Sequence, residues 1–146
     1  MKSKLFLFSL SLFLVAGVTA QKSSYVTNGV THQSRNSASW VGETAVFNSD
    51  DGGSFQVLFK TIPTKSKTYK VKDNSSFSSE GKETEASVAM LENDFNDYSG
   101  SVLPNKGKIK VTVKNGVVTI KVTNVQMCSS DNAKCKPVTG QIVIGN

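Results

Sequence analysis

Residues 108–125, KIKVTVKNGVVTIKVTNV, constrain the fold more than any other part of this chain. Asn115-Gly116 sits between two runs of alternating apolar and polar residues, and a type I′ turn needs positive φ at both central positions, which these residue types tolerate. A two-residue loop fixes the register. Lys114 then faces Val117, Val113 faces Val118, Val111 faces Ile120 and Ile109 faces Val122, which puts three apolar cross-strand pairs on one face. The other face carries Thr112 against Thr119, Lys110 against Lys121 and Lys108 against Thr123. Lys110 opposite Lys121 is a like-charge pair, mildly destabilising unless solvent, a carboxylate or a bound anion offsets it.

The same reading extends along the chain. Strand-like runs near 39–47, 54–61, 67–72, 84–91, 98–103, 107–114, 117–127 and 137–144 are separated by turn residues. Ser49-Asp50-Asp51-Gly52-Gly53 reads as a turn, and Pro63 and Pro104 mark strand ends. The stretch 83–95, ETEASVAMLENDF, contains good helix formers but is read as strand. The expectation is an all-β fold of about eight antiparallel strands, as a β-sandwich or calycin-like barrel, with no helix. If Cys128 is directly opposite Cys135, an unbroken ladder sets Ile120 against Val143, although Ile142 and Ile144 are the more apolar positions. Val125 and Met127 also break the parity of Val118, Ile120 and Val122, so the pattern predicts a β-bulge between about Val122 and Val138.

Lys2 and Lys4 precede an apolar stretch from Leu5 to Val18, and Val18-Thr19-Ala20 places small residues where a signal peptidase cuts. Residues 1–20 therefore read as a secretory signal, too short for a membrane span, and no second hydrophobic segment follows. The remaining stretch of about 126 residues suits one domain. Residues 21–37 are polar and irregular and read as a flexible lead-in to a domain over 38–146. The expected location is secreted or periplasmic. Cys128 and Cys135 are the only cysteines, and in an exported chain such a pair forms a disulfide, closing a loop worth about 2.5 kcal/mol in the chain-entropy model. Two thiols and a distant His32 are too few for structural zinc, and the spacing is not that of a redox-active C-x-x-C pair.

The formal charge of +6 is unevenly placed. Asp73 to Asp97 is acidic, with Lys82 as its one base, whereas residues 104–136 hold seven lysines against Asp131. A nucleic-acid site calls for arginines and aromatics interleaved on a groove, and the chain has one arginine, Arg35. Lys108, Lys110, Lys114 and Lys121 read first as a solvated face that discourages edge-to-edge pairing, and second as an anion site. No catalytic residue, cofactor or metal site is expected: His32 stands alone, and Glu80, Glu83, Glu85, Glu92, Asp94 and Asp97 read as solvating carboxylates. Asn48-x-Asp50-x-Gly52-Gly53 starts like a calcium loop, but Phe59 occupies the position of its bidentate Glu; Asn93 to Asp97 is also rich in oxygen ligands. Asn74-Ser75-Ser76 fits the glycosylation acceptor pattern. Trp40, Tyr69, Phe77, Phe95 and Tyr98 read as core before they read as a sugar platform or apolar pocket.

Residues 98–146 support a broader comparison. YSGSVLPNKGKIKVTVKNGVVTIKVTNV, followed by VTGQIVIG, resembles the C-terminal half of small secreted all-β proteins of Bacteroidetes-type bacteria. The resemblance implies an extracytoplasmic β-sandwich or calycin-like barrel and carries no catalytic residue across. Trp40 resembles the tryptophan near the first strand of lipocalin barrels, but Ala38 stands where that pattern has glycine. The expected function is a noncatalytic secreted binding or structural module. The partners open to it are an acidic polysaccharide, an acidic protein surface or a small apolar ligand. A lipocalin-like carrier and a small carboxylate-dependent hydrolase are the alternatives.

Overall fold

The alternating runs form strands and the Asn-Gly pairs form hairpins. The structure, a computed structural model, describes residues 22–91, 101–102, 106–128 and 135–145; the expected secretory signal lies outside them. In chain order the described elements are β1 (Ser24–Thr27), β2 (Val30–Gln33), β3 (Ser39–Val41), β4 (Thr44–Asn48), β5 (Ser54–Leu58), β6 (Lys67–Val71), α1 (Asn74–Glu80), β7 (Glu85–Leu91), β8 (Ser101–Val102), β9 (Lys108–Lys114), β10 (Val117–Cys128) and β11 (Cys135–Ile144). Ten strands make one curled sheet, a half-barrel in the order β2-β1-β11-β10-β9-β6-β7-β5-β4-β3, and β8 pairs with β10. The fold is all-β, as expected, but β6 and β7 run parallel. Their connection contains α1, because parallel neighbours cannot be joined by a tight turn.

The β9–β10 ladder has the register set by its turn: Lys114 pairs with Val117, Lys110 with Lys121 and Ile109 with Val122. Asn115 and Gly116 take φ of 51° and 76°. Between β10 and β11 the ladder slips where the parity breaks, so that Val122 pairs with Gly140 and Val125 with Val138. The bulge brings Ile120 against Ile142 and Val118 against Ile144, which keeps the large aliphatic groups on the core side. Cys128 and Cys135 are disulfide-bonded at the end of this ladder.

Three stretches depart from expectation. Within the stretch 21–37, expected as a flexible lead-in, the described residues 22–37 carry β1 and β2, because Thr27-Asn28-Gly29-Val30 repeats the same turn chemistry, again with φ of 51° and 76°, and Tyr25 is fully buried. The run 39–47 is two strands, since Gly42 at φ 57° reverses the chain and pairs Val41 with Thr44. Helix α1 has no sequence period to announce it, because its seven residues bury a single apolar side chain, Phe77. Ser75 Oγ donates to Asp73 Oδ2 (2.5 Å) at its start, and Gly81 N donates to Phe77 O (3.0 Å) at its end.

The core fills the inside of the curl. Ile109, Val111, Ile120, Val122 and Ile142 from the middle strands belong to one buried cluster with Phe47, Phe55, Val57, Val88 and Met90. Each such side chain contributes about 1.5–3 kcal/mol through its removal from water. Tyr25 joins the halves: its ring stacks on Phe55 (5.2 Å between centroids) and meets Phe47 edge-on (6.3 Å). A Cβ at Gly140 would lie 2.8 Å from both Phe55 Cε1 and Tyr25 Cβ, so β11 approaches this contact with no side chain.

Candidate functional site

Period-2 alternation that sends Ile109, Val111, Ile120 and Val122 inward sends Lys108, Lys110, Lys114 and Lys121 outward, and all four are exposed. Lys110 and Lys121 are directly paired across β9 and β10, at a side-chain separation of about 5 Å between Cβ atoms. Among the described residues none of the four meets a carboxylate within ion-pair distance. The long-range pairings enlarge the patch beyond what the hairpin alone defines. β6 lies beside β9, with Thr68 against Lys110 and Tyr69 against Ile109, so exposed Lys70 falls beside Lys108.

Charge is segregated on the scale of the sheet. The six neighbouring strands β2, β1, β11, β10, β9 and β6 contain no Asp or Glu. Edge protection does not explain their lysines, because the sheet ends at β2 and β3, and β9 and β10 are interior strands paired on both sides. The described carboxylates sit elsewhere, in turns, at α1 and on β7. Glu85 of β7 lies opposite Lys70 and accepts Lys82 N (3.0 Å). Glu83 accepts from Thr61 Oγ1 (2.8 Å), and Glu80 pairs with Lys72 Nζ (3.5 Å). Each therefore holds a structural contact; Glu92, Asp94 and Asp97 lie outside the described residues.

The acidic turn after β4 works as a clasp. Asp50 N donates to Gln33 O (2.9 Å), and the Asp50 carboxylate accepts from Ser34 Oγ (2.9 Å) and Arg35 N (3.3 Å). Asp51 Oδ2 is 2.6 Å from His32 Nδ1, and its other oxygen accepts from Ser49 Oγ. His32, expected to stand alone, thus stacks on Tyr25 (4.4 Å) and ties β2 to the β4–β5 turn. The hydrogen bond from Ser49 holds the Asp51 carboxyl below its ordinary range; partial burial opposes this and His32 adds to it. Asp50, the carboxylate of the first calcium-like loop, spends its oxygens on this clasp, and no metal-binding group of three His, Cys, Asp or Glu occurs among the described residues. The second such loop, Asn93 to Asp97, lies outside them.

The aromatic residues form packing contacts. Trp40, half-buried, meets Phe59 edge-on (6.1 Å), and Phe59 meets Tyr69 (5.0 Å). Burial pushes the Tyr69 phenol up, and the Glu83 carboxylate adds to the shift. Phe77 is buried under the Lys60 ammonium, 5.4 Å from its ring centroid; Phe95 and Tyr98 lie outside the described residues. A surface cleft of about 230 Å³ beside the bulge is lined by Val26, Asn28, Gly29, Asn124, Pro137 and Thr139, none of them titratable. No helix among the described residues is long and apolar enough to cross a membrane. No family model, curated protein or solved structure matches the chain.

Proposed function

We propose that the chain is a noncatalytic extracytoplasmic binding module that takes an acidic partner on the outer face of β6, β9 and β10. The observation that carries this reading is the clustering of Lys108, Lys110 and Lys121 on interior strands that contain no carboxylate, with Lys70 of β6 at the border of the patch beside Glu85 of β7. Neutralisation from outside relieves the Lys110–Lys121 repulsion, so an anion gains affinity at a pair that costs the free protein stability. The disulfide fits an oxidising compartment. A carrier needs a hollow interior, whereas the rings of Tyr25, Phe47 and Phe55 meet across the curl.

Dextran sulfate binding by fluorescence anisotropy tests the reading. The protein is expected to bind at low salt, with affinity falling as salt rises, and Lys110→Gln/Lys121→Gln is expected to weaken binding about tenfold or more. Lys60→Gln/Lys82→Gln, away from this face, serves as the charge-matched control. Equal losses in the two variants, or no binding by the native protein, would overturn the assignment.

A further inference from the structure

We infer that the acidic partner is a linear polysaccharide bearing carboxylate or sulfate groups, laid across the strands. This rests on the binding reading above and adds the chemistry of the ligand. One unbroken line of paired residues crosses six strands: Thr68, Lys110, Lys121, Gln141, Ser24 and Gln33. At the usual spacing of neighbouring strands the line is roughly 24 Å long. Its two ammonium groups stand together near one end of the run, and every other position is a hydroxyl or carboxamide. Thr68 and Gln33, at its ends, are exposed.

That composition separates ligand classes. A densely charged polymer such as nucleic acid or polyphosphate needs cations along its whole length, with arginine forks for phosphate, and this line has cations at two positions and no arginine. A protein surface needs an apolar or aromatic centre to its interface, and a membrane needs side chains that enter it. This line contains neither. Sugars present hydroxyls at short intervals, which donate to and accept from the Thr68, Ser24 and Gln33 side chains alike and donate to the carbonyl oxygen of Gln141, whose amide already donates to Lys22 O (3.2 Å), while an acidic sugar toward the β6 end meets the Lys110–Lys121 pair. Lys108 and Lys70 lie in the adjacent row and keep the cations on β6, β9 and β10, away from the Ser24 and Gln33 end of the line. The polymer therefore combines an acidic group for the Lys110–Lys121 pair with hydroxyls for the rest of the line.

The test compares hyaluronan and polygalacturonate with polyglutamate of matched charge and with phosphatidylglycerol vesicles, all by anisotropy at one ionic strength. At least one glycan is expected to bind about tenfold tighter than polyglutamate. Thr68→Val/Gln33→Ala is expected to weaken that glycan about fivefold or more, the scale of two lost neutral hydrogen bonds, and to leave polyglutamate unchanged. Lys110→Gln/Lys121→Gln weakens both. If polyglutamate or vesicles bind as tightly as every glycan, or Thr68→Val/Gln33→Ala changes nothing, the glycan track is wrong while the lysine face stands. If no anion binds at all, the track falls together with the reading beneath it.

Discussion

Tyr25 is the residue at which the two ends of the curled sheet meet. Its ring stacks with His32 at 4.4 Å and with Phe55 at 5.2 Å, and it is fully buried. Gly53 makes room for it, since a Cβ there would land on Tyr25 Oη. Truncation to alanine leaves a void bounded by rings from β2, β4 and β5, which do not collapse together because each is held by its own ladder. Tyr25→Ala is therefore expected to lower unfolding free energy by about 3–5 kcal/mol in urea titration, and Tyr25→Phe by far less. A loss below about 1 kcal/mol for the alanine variant would mean that β1 and β2 dock by other contacts. None of this is legible locally, because Tyr25 sits in a polar stretch and the residues that bury it, Phe47 and Phe55, lie far along the chain.

At the scale of elements, turn chemistry and parity carried most of the fold. The Asn115-Gly116 pair and the mismatch between Val122 and Val125 were enough to place a register and a bulge. The four hairpin lysines were legible for the same reason, as one face of a ladder with known pairing. Thr68, Lys70, Gln141, Ser24 and Gln33 were not, because β6 beside β9 and β1 beside β11 are pairings between strands distant in sequence, which leave no local signature. The bulge also makes a demand on its neighbour: Gly107, at φ 96°, enters β9 where a Cβ would lie 2.7 Å from the carbonyl oxygens of Thr123 and Asn124 and from Val125 Cα. Those atoms are backbone and cannot rotate away. Gly107→Ala is expected to cost about 1–3 kcal/mol, combining an unfavourable φ with the contact, read as a lowered midpoint in thermal unfolding. An unchanged midpoint would show that the bulge can shift to admit a side chain.

Across the whole molecule, acids and bases have separate tasks. Lysines occupy the outer face of the middle strands, and the acids of the β4–β5 turn hold the first hairpin against the far part of the sheet. Asp51 is the titratable centre of that clasp, facing His32 on β2, with Asp50 in its own turn and Arg35 just beyond β2. Its folded-state carboxyl titrates below the ordinary value of 3.8, chiefly through the Ser49 hydrogen bond. A depressed carboxyl contributes stability that is fully present above the unfolded value and disappears as pH falls through the folded one. The contribution is therefore intact at neutral pH and lost only in acid, below about pH 4. Asp51→Asn removes the charge at every pH. Thermal unfolding from neutral pH down to about pH 2 is expected to show the variant less stable at neutral pH, with the gap closing as the native carboxylate is protonated. A gap of constant size down to the most acidic point would mean that Asp51 holds the clasp by shape alone and that its charge contributes nothing to keeping the sheet curled.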